Sequence, residues 1–190
     1  MTVLALVLLA CCAAAPLLAP VLGRVVADPV LPVAALSTLL LGAAAAVAGE
    51  ADPAQGWRLG AAMVLAVVVS TTAGSHVVRA VFRLMRREFL PTRRRAGGSA
   101  PATDADPPAD GDRPEAVLRG GAWIGYLERA AVAATVLAGF PEGIALVLAV
   151  KGVGRYAELR ETNAPEAFII GTLASLLWAA AAAGAGHLLR

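Results

Sequence analysis

Apolar residues in this chain come in long runs that are separated by short polar breaks and by one long polar segment. A helix needs about 20 largely apolar residues to cross the hydrocarbon core of a bilayer. Six runs fit this description, the fifth being the shortest, and they comprise residues 2–22, 30–49, 57–82, 121–140, 143–156 and 166–188. The pattern therefore predicts an all-α fold, a polytopic transmembrane helical bundle of about six spans.

The long polar segment divides the predicted spans into two groups of three. It starts with arginines and continues as a stretch rich in Pro and Asp, which offers too little apolar surface to form a core. We interpret residues 1–90 as an N-terminal three-span half, 91–119 as a disordered cytoplasmic linker and 120–190 as a C-terminal three-span half.

Composition and charge agree with a membrane protein. Hydrophobic residues make up 58% of the chain and charged residues 16%, against about 45–50% and about 25% in soluble domains. The net charge of +2 is too small to indicate a nucleic-acid partner. We expect the partners to be the lipid bilayer and either other membrane subunits or further copies of the chain. Arginines are concentrated after the third span, which predicts that this end is cytoplasmic and that both termini lie outside.

Ionisable side chains interrupt the fourth and fifth predicted spans. Glu128 and Arg129 lie inside the fourth, and Lys151, the only lysine, lies inside the fifth. In an antiparallel hairpin folded about Phe140, Glu128 and Lys151 are almost equally far from the turn. Because a charge inside a bilayer costs about 2.5–3.5 kcal/mol, we predict that they pair, with Arg155 as the alternative partner. Three interpretations stay open: a structural ion pair, a charged gate or proton site, and exposure to a partner or a water cavity.

Three glycines of the fourth span share a broad face with Glu128. Gly121, Gly125 and Gly139 are therefore predicted to let the fifth span approach closely. Arg129 projects about 100° away from Glu128 and has no predicted partner in the hairpin.

A second polar cluster lies near the end of the third span and includes Thr72 and His76. His76 is predicted at a depth close to that of Glu128. A histidine there can relay protons if it meets a carboxylate. The alternative is a hydrogen bond to a neighbouring helix.

Recognised catalytic patterns are missing from the sequence. It has no G-x-S-x-G, no H-E-x-x-H, no Walker loop and no Cys/His ligand set. The adjacent Cys11 and Cys12 are interpreted as packing residues. We therefore predict no catalytic residue, no metal site and no cofactor.

Two segments resemble known membrane-protein families. Gly121-x-x-Ile-Gly-x-Leu-Glu-Arg129, followed by Lys151, Arg155 and Glu158 and then by Ile170-Gly-Thr-Leu-x-Ser175, resembles the C-terminal part of an uncharacterised family of small bacterial and phage integral membrane proteins. The resemblance implies no reaction, but it implies a bacterial cytoplasmic membrane and supports the hairpin as a unit. Residues 70–80 are similar to the final span of the small G subunit of multisubunit cation/proton antiporters.

Two functional hypotheses from different classes follow. The first is a non-enzymatic scaffold or accessory subunit of a membrane complex. The alternative is an ion- or proton-coupled transport component that uses Glu128, Lys151 and His76. A membrane-embedded enzyme ranks third.

Limited proteolysis tests the predicted linker. In detergent-solubilised protein, trypsin should cut first within residues 91–119, because this segment has arginines and almost no apolar surface to offset the entropy of ordering the chain. Sustained protection of the segment would show that it folds against another part of the protein.

Overall fold

Helices are the only regular secondary structure of the described residues. The computed structural model describes residues 1–89, 121–154 and 164–190, and these contain no β-strand. The predicted linker and Arg155 lie outside the described residues. In chain order the elements are α1 (Thr2–Ala14), a 3-10 turn (Ala15–Leu18), α2 (Ala19–Leu22), α3 (Val30–Gly49), α4 (Trp57–Phe89), α5 (Gly121–Leu137), α6 (Gly143–Gly154) and α7 (Ala164–His187).

Prolines explain why the first span is not one regular helix. Pro16 lies in the 3-10 turn and Pro20 in the first turn of α2. Each lacks the backbone N–H that an uninterrupted α-helix would use. The segment still continues as one helical run over Thr2–Leu22.

In the described parts of the chain, four helical segments are long and apolar enough to cross a membrane, namely Thr2–Leu22, Val30–Gly49, Trp57–Met85 and Phe168–His187. α5 has 17 residues and α6 has 12, which correspond to about 25 Å and about 18 Å. The hydrocarbon core is about 30 Å thick. The all-helical, membrane-type bundle is thus confirmed, with α6 too short to cross by its own length.

Two helix ends differ from the predicted bounds by three residues or more. α4 continues past residue 82 to Phe89, because arginine and leucine are good helix formers and the next proline is Pro91. α5 ends at Leu137. Beyond it, Gly139 has a φ of 75°, a left-handed conformation that terminates helices and that glycine adopts without strain.

Close packing of small side chains joins the two predicted halves. α4 packs on α1, α3, α5 and α7, and its most extensive interface is with α7. Ala66 on α4 and Ala183 on α7 are fully buried in one core cluster. A side chain at Gly186 would lie 2.7 Å from Cβ of Ala66. Small residues here allow the close backbone approach by which membrane helices associate.

Both chain termini lie at the same end of the bundle. Thr2 Oγ1 donates to the carbonyl of Asp52, 3.1 Å away. The backbone N–H of Ala54 donates to the carbonyl of Leu189, 2.7 Å away. Arg190 Nη1 donates to the carbonyl of Leu137 at the C-terminal end of α5, 2.9 Å away. The N-terminus, the α3–α4 loop, the α5–α6 turn and the C-terminus are therefore neighbours.

An ion pair marks the opposite end. Arg83 near the end of α4 pairs with Asp28, whose Oδ1 also accepts the backbone N–H of Val30 at the start of α3. The arginine-rich end of α4 is thus separated from both termini by the length of the bundle.

Topology reporters test this arrangement in cells. A fusion after Arg95 should report the cytoplasmic side and a fusion after Arg190 the opposite side, because the arginines are retained inside and the termini lie at the other end of the bundle. A fusion at the N-terminus should match the one after Arg190. Equal signals after Arg95 and Arg190 would contradict the predicted number of crossings.

Candidate functional site: an intramembrane charge cluster

Glu128 on α5 and Lys151 on α6 form an ion pair between the two short helices. Glu128 lies nine residues before the end of α5 at Leu137, and Lys151 lies eight residues after Gly143, the first residue of α6. These spacings correspond to about 13 Å and about 12 Å along the helices, so the two side chains reach the same depth. Both side chains are largely buried, with 17% and 20% of their surface exposed. The structure therefore brings together the two charges that the sequence predicts to pair.

A tight turn fixes this register. The N–H of Phe140 donates to the carbonyl of Thr135 over 2.9 Å, and Gly143 N donates to the carbonyl of Phe140 over 3.1 Å. A side chain at Gly143 would lie 2.5 Å from Thr135 Cγ2. The first residue of α6 therefore needs to be glycine for α6 to start this close to α5.

The glycines predicted to pack α5 against α6 have other roles. Gly139 belongs to the turn, and a side chain there would meet open space. At Gly125 the nearest group to an added side chain is the guanidinium of Arg129, at 3.4 Å, rather than any atom of α6. Gly125 thus makes room for an arginine on its own helix, and the packing role predicted for these two residues is wrong. Gly121 is the first residue of α5, and its predicted packing role lies outside what the structure describes.

Arg129, for which the sequence suggested no partner in the hairpin, is directed towards α4 instead. Its side chain is buried, with 6% exposed. Nη2 donates to the carbonyl of Thr71 over 3.2 Å, and the guanidinium lies 5.3 Å from the centre of the Tyr126 ring. Its own carbonyl accepts a hydrogen bond from Ser70 Oγ, 3.0 Å away. An arginine in this position is held by a carbonyl dipole and a ring face, since no carboxylate pairs with it among the described residues.

Gly74 and Trp178 form the walls of the space that Arg129 fills. A side chain at Gly74 would lie 2.5 Å from Arg129 Cδ and 2.9 Å from Trp178 Cδ1. Trp178 Nε1 donates to the carbonyl of Val69 over 3.2 Å and so fixes the indole against α4. A glycine three residues after Thr71 is the one sequence signal for this contact, and it shows only once the partner helix is known.

The cluster lies near the middle of the apolar helical segments. Thr71 is the central residue of the apolar segment Trp57–Met85, and Trp178 lies ten residues into Phe168–His187. At 1.5 Å per residue both positions are about 14–21 Å from either end of their segment. Arg129 bonds to α4 at this level, so its charge lies far from both ends of the apolar segment.

A small cavity lies beside the ion pair, between α5, α6 and α7. Its volume is about 10 Å³, which is room for about one water molecule. Glu128, Arg129, Lys151, Thr172 and Ser175 are among its lining residues. Thr172 Oγ1 is buried and has no hydrogen-bond partner among the described residues. The site can therefore hold one water between a hydroxyl and the charge pair, but it has no space for a solute.

Thr72 and His76 are not part of this cluster. Each is two residues from Gly74, hence about 200° around α4 from the side that faces Arg129. Thr72 Oγ1 donates to the carbonyl of Val68 over 2.8 Å and reaches the carbonyl of Ala13 on α1 at 3.5 Å. His76 Nδ1 is buried without a hydrogen-bond partner in the described part of the chain. The structure therefore does not bring His76 to Glu128, because α4 turns it away from α5, and it gives Nδ1 no hydrogen bond to a neighbouring helix among the described residues.

Metal binding has no candidate in the described ranges, where no three His, Cys, Asp or Glu side chains lie close enough to share an ion. Cys12 is buried, with Sγ 3.3 Å from the carbonyl of Ser37, whereas Cys11 is exposed.

Comparison with known proteins gives no relative: no protein-family model matches the chain, and no curated protein or solved structure matches it. The two resemblances noted in the sequence therefore stay predictions.

Replacing Gly74 tests the arginine pocket. Gly74→Ala should lower the free energy of unfolding by about 1–3 kcal/mol, because the added methyl group overpacks the space beside Arg129 and Trp178. Gly42→Ala on α3 is the matched control, because a side chain there meets nothing within 4 Å and alanine favours the helix. Thermal unfolding in one detergent would compare the two, and equal stability would show that α4 and α5 do not pack as described.

Proposed function

We propose that the protein is a non-enzymatic, multi-pass membrane protein that acts as a scaffold or accessory subunit of a complex in the bacterial cytoplasmic membrane. One observation carries the proposal. Glu128, the only carboxylate in the interior of the apolar runs, is already engaged by Lys151, the only lysine of the chain. With room for about one water beside it, this pair supports helix packing better than solute passage.

The remaining intramembrane polar groups support the same function. The side chains of Ser70, Arg129 and Trp178 each donate a hydrogen bond to a backbone carbonyl of a neighbouring helix. Such bonds hold membrane helices together, because lipid provides no hydrophobic driving force between them. The bacterial cytoplasmic membrane is favoured by the family resemblance of the C-terminal half and by long apolar α-helices.

Ion- or proton-coupled transport is the second candidate function. The observation in its favour is the unpartnered hydroxyl of Thr172 in the same small cavity as Glu128 and Lys151. A water there would link a carboxylate to a hydroxyl at mid-depth, which is the kind of chain that carries protons in pumps. His76 drops out of this candidate, leaving Glu128, Lys151, Thr172 and Ser175.

Thermal stability of charge variants tests the structural function. Lys151→Met should destabilise the protein by about 3–5 kcal/mol, because it leaves a carboxylate unpaired in lipid. The double variant Glu128→Leu with Lys151→Met should recover most of the loss, since removing both charges also removes the desolvation cost. Arg155→Met is the matched control and should be mild. A severe Arg155→Met with a mild Lys151→Met would assign the pairing to Arg155.

Proton flux in reconstituted vesicles separates the two candidate functions. The wild-type protein and Glu128→Gln should give the same flux as empty vesicles if the charges serve packing alone. A wild-type flux that Glu128→Gln abolishes, in protein that remains folded, would contradict the accessory-subunit function and favour transport.

A further inference from the structure

The charge cluster has an unbalanced positive charge inside the membrane. Glu128 contributes one negative charge, whereas Arg129 and Lys151 contribute two positive charges. Within the ranges that the structure describes, the other carboxylates lie in loops or near helix ends, apart from this one. One net charge at mid-depth is costly in a medium of low dielectric constant, and a counter-charge from outside the chain would lower that cost.

We propose that the face of α6 beside Lys151 docks a membrane-spanning helix of another protein that carries one carboxylate at mid-depth. The inference rests on the proposed accessory-subunit function and names the chemistry of the partner. Lys151 would then lie between two carboxylates, and the four charges, Arg129 included, would sum to zero.

α6 offers a helix-binding face in the right place. Its substantial packing among the described residues is with α5 alone. Leu146, Val150 and Val153 are 66%, 66% and 78% exposed, and their i, i+4, i+7 spacing forms one stripe along the helix. Lys151 follows Val150 directly, and 20% of its side chain is exposed. A helix lying along the stripe can therefore bring a carboxylate to the lysine.

Glycine allows that helix to approach closely at the same level. An added side chain at Gly152 or at Gly154 would meet nothing within 4 Å. Both glycines are within three residues of Lys151. Contact between helix backbones is closest where such residues lie in the interface.

Charge and depth argue against the other occupants of this face. A second copy of the chain would bring a second net positive cluster against the first, which is repulsive. A lipid phosphate is too far away, since Lys151 lies about 12 Å along α6 from its outer end and about 18 Å from the other side of a 30 Å core. A carboxylate on a helix is the anion that can be carried to this depth.

Association with a designed helix tests the proposal. The full-length protein, with a donor dye on the exposed Cys11, is reconstituted in phosphatidylcholine vesicles. The probe is an acceptor-labelled Leu/Ala helix of about 22 residues with one central Glu, and its matched partner has Gln there. Energy transfer should show the Glu helix associating about three- to ten-fold more tightly than the Gln helix.

Matched variants identify the face. Val150→Trp should abolish the preference for the Glu helix, because the indole covers the stripe. Val64→Trp on α4, at a residue of similar exposure, should leave the preference unchanged. The double variant Glu128→Leu with Lys151→Met should also lose it, because the lysine that meets the carboxylate is gone.

Three outcomes would overturn the proposal. The first is that the Glu helix and the Gln helix associate equally with the protein, and the second is that neither helix associates. The third is that energy transfer occurs between two copies of the chain and that Val150→Trp abolishes it. The last would assign the face to a second copy. None of these depends on proton flux, so a failure here is distinguishable from a failure of the accessory-subunit function.

Discussion

The cost of placing charge in lipid governs how the C-terminal helices are arranged. Glu128 and Arg129 are adjacent, so they leave α5 about 100° apart and cannot share a partner on one side. The structure satisfies them on two sides. Lys151 of α6 meets the carboxylate, and the carbonyl of Thr71 on α4 meets the guanidinium. α5 is therefore held between α4 and α6 by the two charges that would otherwise exclude it from the membrane.

Small residues make this arrangement sterically feasible. Because Gly74 has no side chain, the side chain of Arg129 fits against α4. Gly125, one turn before Arg129 on α5, leaves space for the guanidinium. Gly186 lets α7 lie against Ala66. The same close contacts bring Trp178 within reach of the Val69 carbonyl. The hydrogen bonds between helices depend on the small residues. A backbone carbonyl that is already bonded within its own helix accepts a second donor only if that donor lies within hydrogen-bond distance, and the small residues allow the helices to approach that closely.

Local periodicity predicted the helices and the Glu128–Lys151 contact, since both depend on distances along the chain from one turn. The contact partner of the Arg129 side chain depends instead on which helix packs against α5, and the hydropathy pattern does not show which helix that is. Gly125 illustrates the difference. Its spacing from Gly121 is that of a helix-packing motif, yet the space it leaves is taken by an arginine one turn later. Residue counts predict that His76 lies at a depth close to that of Glu128, but they do not show which neighbouring helix His76 faces.

A buried ion pair adds little net stability, since desolvation offsets most of the attraction, but it can specify one arrangement among several. α6 is where such specification is needed. It is short, apolar and largely exposed on one face, and lipid solvates its valines and leucines as well as a neighbouring helix would. Apolar contacts therefore do not fix its rotation. The ion pair between Lys151 and Glu128, together with the close contact between Gly143 and Thr135, fixes both the rotation and the depth of α6. The exposed apolar side chains of α6 therefore form one defined surface beside the positive charge of Lys151.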